Sequence, residues 1–268
     1  MKNMVLAIVC LMLSGMVLTH SVNAQEASAD DLAKAAQNPL ATMVTLPLQA
    51  NFNNNVGPFE RRFFNLNVQP VVPIQGEKWN LITRTILPVN SAPQGEFDST
   101  FGLGDTSLQL FFSPASSGKL TWGVGPVFLL PTASDPQNLG SEKWGVGPAG
   151  VLFYATGKWT MGGVLSNIWS FAGESDRADV NLLTLQYFVN YNMGNGWAVG
   201  TAPVISANWE ADSDNTWTIP WGLQVSKVTK IANQPVNLLL GYYANSEEPT
   251  GAADEQVRFQ INFLFPTG

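Results

Sequence analysis

Segments of period two, connections that alternate between short and long, and tryptophans bracketing the segments predict an all-β chain. Together they point to a transmembrane antiparallel up-and-down β-barrel of about twelve strands, with a short N-terminal helix. Composition sets the outer limits of that reading. The 268 residues are 45% hydrophobic and 12% charged, and include 24 Gly, 17 Pro and 9 Trp. A disordered chain would be more charged and less aromatic, and a helical bundle would not carry so much Gly and Pro. A net charge of -7 excludes nucleic acid as the natural partner.

Residues 1–24 read as a secretory signal. Lys2 supplies the positive start, Met4 to Leu18 the apolar stretch and Val22-Asn23-Ala24 a small-residue cleavage site. Cys10 lies inside the apolar stretch with no small-residue pair before it, which argues against a lipid-anchored cysteine. Cleavage after Ala24 leaves 244 residues with 12 cationic against 20 acidic side chains, a net -8. The lone Cys10 and the lone His20 are both removed. The remaining chain then has no thiolate nucleophile, no disulfide, no Ser-His-Asp triad and no His- or Cys-ligated metal. An enzyme and a cofactor are therefore not expected.

Residues 25–39 form the next unit, a short periplasmic or plug helix. Ala27 to Gln37 has helix-favouring Leu32, Ala33, Ala35 and Ala36, Asp30 or Asp31 as a cap, and Asn38-Pro39 as a stop. Residues 40–268 are the barrel. In its first segment Thr42, Val44, Leu46, Leu48, Ala50 and Phe52 share one face, with Thr45, Gln49, Asn51 and Asn53 on the other. Phe64 to Ile74 repeats the pattern. Ten more segments follow: Trp79–Asn90, Phe101–Ser113, Lys119–Pro131, Lys143–Tyr154, Trp159–Ser170, Asp179–Asn192, Trp197–Glu210, Trp217–Val228, Pro235–Asn245 and Glu255–Phe265. Each is about twice a usual soluble strand and matches the nine to eleven or more residues of a tilted bilayer crossing.

The connections separate two sides. Short turns follow the even-numbered segments, and longer acidic loops follow most of the odd ones. With their flanking residues those loops hold 15 of the 20 carboxylates, while Lys78, Lys119, Lys158, Lys227 and Lys230 mark the short side. Short periplasmic turns opposite long outer loops are the asymmetry of bacterial outer-membrane barrels.

Aromatics give a second line of support. Trp197 and Trp209 bracket one segment at roughly 30 Å along the membrane normal, and Trp159 and Trp169 another at roughly 25 Å. With Trp79, Trp122 and Trp217 they are expected at the two lipid interfaces; the competing account is a set of core tryptophans in a soluble sandwich. The last segment alternates Val257, Phe259, Ile261, Phe263 and Phe265 with polar residues. That resembles the C-terminal signal read by the barrel-assembly machinery, although Pro266-Thr267-Gly268 follow it. Expected partners are thus outer-membrane lipid, that machinery and a small-molecule solute.

Whole phrases also look familiar. Phe101-Gly102-Leu103-Gly104-Asp105-Thr106, the run Trp122 to Thr132, Leu139 to Gly145 and Ile168 to Gly173 resemble the outer-membrane family labelled as a MetA-pathway protein of phenol degradation, some members of which carry the label neuromedin U. The resemblance extends from about Leu32 to Phe265. It implies an outer-membrane barrel with a transport role, and it supplies no catalytic residues.

If the apolar faces meet lipid, the other faces line the lumen. Among them are Asn65, Asn67 and Gln69; Arg84; Asp105 and Gln109; Gln186 and Asn190; Asn208; and Arg258, Gln260 and Asn262. Such amides either hydrate a channel or bond across a closed interior. Twelve strands give a bore between filled and open barrels, so occlusion by loops or by the Ala27 to Gln37 helix is expected as an option. A hairpin closing near residues 95 and 96 would set Arg84 opposite position 107, within diagonal reach of Asp105. That pair reads either as an electrostatic constriction or as a mutually compensating buried ion pair.

The acidic runs Glu210 to Asp214 and Glu174 to Asp179 have oxygen ligands at alternate positions, yet lack the Gly and terminal Glu of a calcium loop, so a solvated loop is favoured. Gly102-x-Gly104, Gly123-x-Gly125 and Gly145-x-Gly147 lie within strands, where close packing or strand bending explains them. The expected function is passage of small solutes across the outer membrane. The resemblance suggests aromatic or other hydrophobic compounds, whereas the amide-rich faces favour something more hydrophilic. The competing readings are a non-conducting structural or surface-binding barrel, and a membrane hydrolase, which the missing His disfavours.

Overall fold

The computed structural model describes residues 28–116 and 118–266, so the expected signal over 1–24 lies outside the described residues. From Val44 to Phe265 the chain is one antiparallel sheet that closes on itself. Twelve staves form the wall. They are β1 (Val44–Val56); β2 with β3 (Arg61–Val68, Val71–Ile74); β4 (Trp79–Gln94); β5 with β6 (Asp98–Leu103, Thr106–Pro114); β7 (Leu120–Leu130); and β8 (Lys143–Thr156). The rest are β9 (Trp159–Gly173); β10 (Asn181–Gly194); β11 with β12 (Trp197–Thr201, Val204–Asn208); β13 with β14 (Trp217–Thr218, Pro220–Ile231); β15 (Gln234–Asn245); and β16 (Glu255–Phe265). Each stave pairs with its neighbours in sequence, and β1 pairs with β16 from Val44↔Phe265 to Asn54↔Glu255 to shut the ring.

All twelve expected segments are strands, because strict alternation satisfies lipid on one side and the lumen on the other without leaving a sheet edge. Four of the staves are broken. Proline lies at or beside the break in three of them, at Gln69-Pro70, Ala202-Pro203 and Ile219-Pro220, where it removes a ladder N–H. The fourth break, at Gly104-Asp105, carries a one-residue slip: Val89 faces Leu103, but Arg84 faces Gln109. Between the ninth and tenth staves the register runs from Trp197↔Lys227 to Gly200↔Gln224 and resumes at Ser206↔Thr218.

On the short side, Asn195 (φ 54°) and Gly196 (φ 77°) take the left-handed conformations that a tight hairpin needs. The outward face carries the apolar belt; Leu223, for example, is 68% exposed. Trp79 packs against Trp122 (5.9 Å) and Trp159 against Tyr191 (4.9 Å) near the short turns, and Trp209 packs against Trp217 (5.4 Å) near the long loops. Lys227 lies 5.1 Å above the Trp197 ring. Aromatic rings flanking an exposed aliphatic belt, with lysines beside them, belong to a wall immersed in lipid, here that of an outer-membrane barrel.

The helix α1 (Ala29–Gln37) begins later than expected and is capped differently. Ser28 is the N-cap, its Oγ accepting from the Asp31 N–H at 3.2 Å, which leaves Asp30 and Asp31 in the first turn where a helix favours acids. The helix packs against β10, β11, β14 and β16 at the short-turn end. A second, one-turn helix, α2 (Pro136–Leu139), lies in the loop between β7 and β8.

Candidate functional site: a lumen with two chemically different walls

One arc of the interior is made of amides. Inward positions of β16, β1, β2 and β4 carry Arg258, Asn51, Asn65 and Asn90 at neighbouring registers. Arg258 Nε donates to Asn51 Oδ1 (3.2 Å), Asn51 Nδ2 to Asn65 Oδ1 (3.0 Å), and Asn65 Nδ2 to Asn90 Oδ1 (2.7 Å). Asn51 and Asn65 each donate and accept, so the bonds run on from Arg258 to Asn90 as one chain. Gln69 and Gln109 belong to the same lining: Arg84 Nη2 donates to Gln69 Oε1 (2.9 Å) and Arg84 Nη1 to Gln109 Oε1 (3.2 Å).

The opposite arc is apolar, which differs from the expectation that apolar faces all point to lipid. Ile82, Phe111, Val127, Val151, Val164 and Ile168 turn inward from five consecutive staves and bury one another, with Leu40 inserted from the N-terminal segment. Phe111 is 1% exposed. These staves are apolar on both faces, because Phe112, Val124, Leu152 and Leu165 alternate outward on the same strands. The wall here also curves tightly. A Cβ at Gly125 would meet the Leu110 carbonyl oxygen at 1.9 Å, and one at Gly147 the Asn167 oxygen at 1.7 Å, so the glycines permit close strand approach.

Two chambers lie along the lumen. An inner one of about 170 Å³ sits under the C-terminal end of α1 and is bordered by Gln37, Met43, Arg84, Gln186, Asn190 and Arg258, with Gln260 and Asn262 also on its wall. An outer one of about 320 Å³ lies toward the long loops, bordered by Val56, Phe63, Pro203, Tyr243, Ala252 and again Arg258. Arg258 is 5% exposed and spans the space between them, with Nη1 donating to the Ala202 carbonyl (2.9 Å) across two intervening staves. That carbonyl is available because the ladder is interrupted at Ala202-Pro203. The Ala202 N–H donates to Tyr243 Oη (3.3 Å), which donates to Gln224 Oε1 (2.8 Å), and the guanidinium stacks 4.7 Å over the Tyr243 ring.

The inner end is closed by α1 and the turn after it. Gln37 Nε2 donates to Asn192 Oδ1 (3.0 Å) and Gln37 Oε1 accepts from Thr160 Oγ1. Asp30 Oδ1 accepts from the Gly196 N–H (2.6 Å), while Leu32 and Ala33 pack on Val228, Leu264 and Met43.

Two expected site residues lie elsewhere. Asp105 does not meet Arg84: the hairpin register is one residue later (Gln94↔Asp98) and the slip at Gly104-Asp105 adds another, so Arg84 faces Gln109 rather than position 107. Its carboxylate instead anchors the loop before β8, accepting from the Ser141 N–H (2.6 Å), Ser141 Oγ (2.7 Å) and the Ala133 N–H (3.2 Å). Asn208 ends its strand exposed, with Oδ1 accepting from the Glu210 N–H (3.2 Å). Asn67 occupies a β2 position paired with Gln49 and Pro88. Trp169, Trp197 and Trp209 sit on the outer surface. Tyr243, the Ala202 backbone and the apolar arc were missed by reading polar faces alone.

Among the described residues no group of three or more His, Cys, Asp or Glu converges as metal ligands. The acidic loops satisfy themselves locally, as where Asp212 accepts from Asn215 (2.7 Å) and Asp135 from Asn138. Ion pairs hold the outer loops at Lys143–Asp179 (3.1 Å) and Arg177–Glu142 (3.2 Å).

The family model described as "Putative MetA-pathway of phenol degradation" matches residues 43–260. Among solved structures, the fold is similar to the COG4313 outer membrane channel from Pseudomonas putida F1, with a TM-score of 0.62 and 16% identity over 84% of this chain and 96% of that one. It is also similar to the NanC porin, with a TM-score of 0.54 and 10% identity over 83% and 100%. At these identities the likeness concerns the fold. No curated protein matches the chain.

Proposed function

The chain belongs to the family described as "Putative MetA-pathway of phenol degradation", and from that premise we propose that it is a plugged outer-membrane channel for small solutes. The observation that carries this reading is the pair of chambers along the lumen, with Arg258 on the border of both and a short segment over the inner one. A barrel meant only as scaffold would fill such space, since voids forfeit packing. An amphipathic passage suits a solute with an apolar body and a polar group, because the apolar arc takes the first and the amides take the second.

The plug is held by a few hydrogen bonds and two apolar contacts, Leu32 and Ala33 on Val228 and Leu264, and Leu40 in the apolar arc, and local release of so short a segment leaves the rest of the barrel intact. Neither arc presents a nucleophile beside a base, so the walls bind and guide rather than react. The non-conducting alternative rests on Leu40 packed into the apolar cluster. Planar-bilayer recording of the refolded protein decides. Stepwise currents, raised when Leu40 is replaced by Ala, support a channel, and a silent membrane with protein shown folded by its heat-dependent gel mobility supports the scaffold.

A further inference from the structure

We infer that the inner chamber is an anion-binding station, with Arg84 and Arg258 receiving the carboxylate of a small organic solute as it passes. The inference deepens the channel reading and rests on it. Both guanidiniums border the chamber, and no Asp or Glu lines either chamber. Among the described residues Arg84 and Arg258 hydrogen-bond to neutral oxygens alone: Gln69 and Gln109 for the first, Asn51, Gln256 and Ala202 for the second. Neither takes part in an ion pair among the described residues. An interior cation without a counter-charge is costly, and a visiting carboxylate removes that cost.

Hydrogen bonds from a guanidinium to a carboxylate are roughly twice as strong as those between neutral groups. A carboxylate therefore outcompetes the Ala202 carbonyl for Arg258 and breaks the bridge between the two chambers. Anion binding and opening of the septum are the same event. Arg84 waits deeper in the chamber with part of its surface open to it, ready to take over the charge. A second observation narrows the ligand. Asn237 Oδ1 and Asn262 Oδ1, paired across β15 and β16 on the same chamber wall, are buried without a donor. A small rotation of either side chain toward the chamber it lines would let a hydroxyl on the solute supply one. The fitting class is a small hydroxylated carboxylate.

The acidic outer loops do not override this preference. Their charges are solvated and screened within about 8 Å at physiological salt, whereas the two guanidiniums act in a confined, weakly screened space.

The test is the reversal potential of the refolded protein in a potassium chloride gradient, followed by block of the current by 4-hydroxybenzoate, benzoate or benzylammonium. Chloride selectivity is expected, with block by 4-hydroxybenzoate, weaker block by benzoate and none by benzylammonium. R84M and R258M should each lower the chloride-over-potassium permeability ratio by about threefold or more, while R258K retains it. Gel mobility establishes that each variant is folded. Cation selectivity, or a ratio unchanged in the folded R84M/R258M double variant, overturns the anion station and leaves the channel standing. Absence of any current overturns the channel reading and the station with it.

Discussion

The two arcs of the lumen wall solve the same problem in opposite ways. From β16 through β4 the inward side chains are amides and arginines whose bonds run sideways from stave to stave. From β4 through β9 an aliphatic and aromatic cluster turns inward, Ile82, Phe111, Val127, Val151, Val164 and Ile168, and its members bury one another together with Leu40. The amide arc leaves open space at its centre, because hydrogen bonds fix direction and spacing. The apolar arc closes up, because dispersion rewards contact from every side. One barrel thus holds a conduit and a core side by side, and the conduit is narrow because the core takes up the rest of the bore.

The division is broken most forcefully at the core. Phe111→Ala removes a side chain that is 1% exposed and should destabilise the barrel by about 3–5 kcal/mol, read as a shift of the urea midpoint of unfolding in detergent or lipid. A negligible shift would mean that the arc is lumen lining and not core. Leu40→Ala comes next. It loosens the plug by about 2–5 kcal/mol, enough to raise the open fraction of single channels at least tenfold, whereas Gln37→Ala, which loses the bonds to Asn192 and Thr160, should raise it by about tenfold or less. The reverse order would place the plug's anchor on polar contacts.

On the amide arc, Asn65→Ala leaves Asn51 Nδ2 and Asn90 Oδ1 unpaired and should cost about 1–3 kcal/mol in the same urea titration. An effect equal to that of Phe111→Ala would erase the contrast between the arcs.

The smallest effect lies outside the membrane, above the apolar arc. Hydrogen bonds from Lys143 and Ser170, with the nearby Lys143 charge, hold the Asp179 carboxyl below the usual carboxylate range. A depressed acid contributes its stabilisation above its unfolded value and loses it as pH falls through the folded one. The loop after β9 should therefore hold near pH ~4 and open as pH drops toward ~2, read as pepsin cleavage near Phe171. Asp179→Asn should be cut at both.

Much of this architecture is legible in the sequence, and the reasons are physical. Lipid outside and polar groups inside impose period two, so the staves carrying Asn51, Asn65 and Arg258 announce themselves. Charge cannot sit at the bilayer centre, so the acidic loops mark their own side. The apolar arc is hidden because Val124 and Val127, or Leu152 and Val151, are equally apolar while facing opposite ways, which leaves no alternation to read. The slip at Gly104-Asp105 is hidden too, since a bulge adds one residue without changing composition, and it moves Asp105 away from Arg84. The Arg258 bridge to Ala202 needs a break in one stave and an arginine three staves away, a coincidence in space with no local signature.

The seam between β1 and β16 joins residues more than 200 positions apart in the chain. The apolar arc is built from consecutive hairpins, whose contacts are local and close quickly once the strands exist. The bonds from Arg258 to Asn51, from Gln256 to Asn53 (2.8 Å) and from Asn54 to Glu255 (2.9 Å) all cross the seam, so none forms until the last strand meets the first. The apolar arc is therefore complete before the seam, whereas the end of the amide arc at β16 is joined last. During biogenesis the core half arises early, and Arg258 gains its bond to Asn51 only when the ring shuts, so a barrel stalled before closure holds an apolar lining and an amide chain cut off from its arginine.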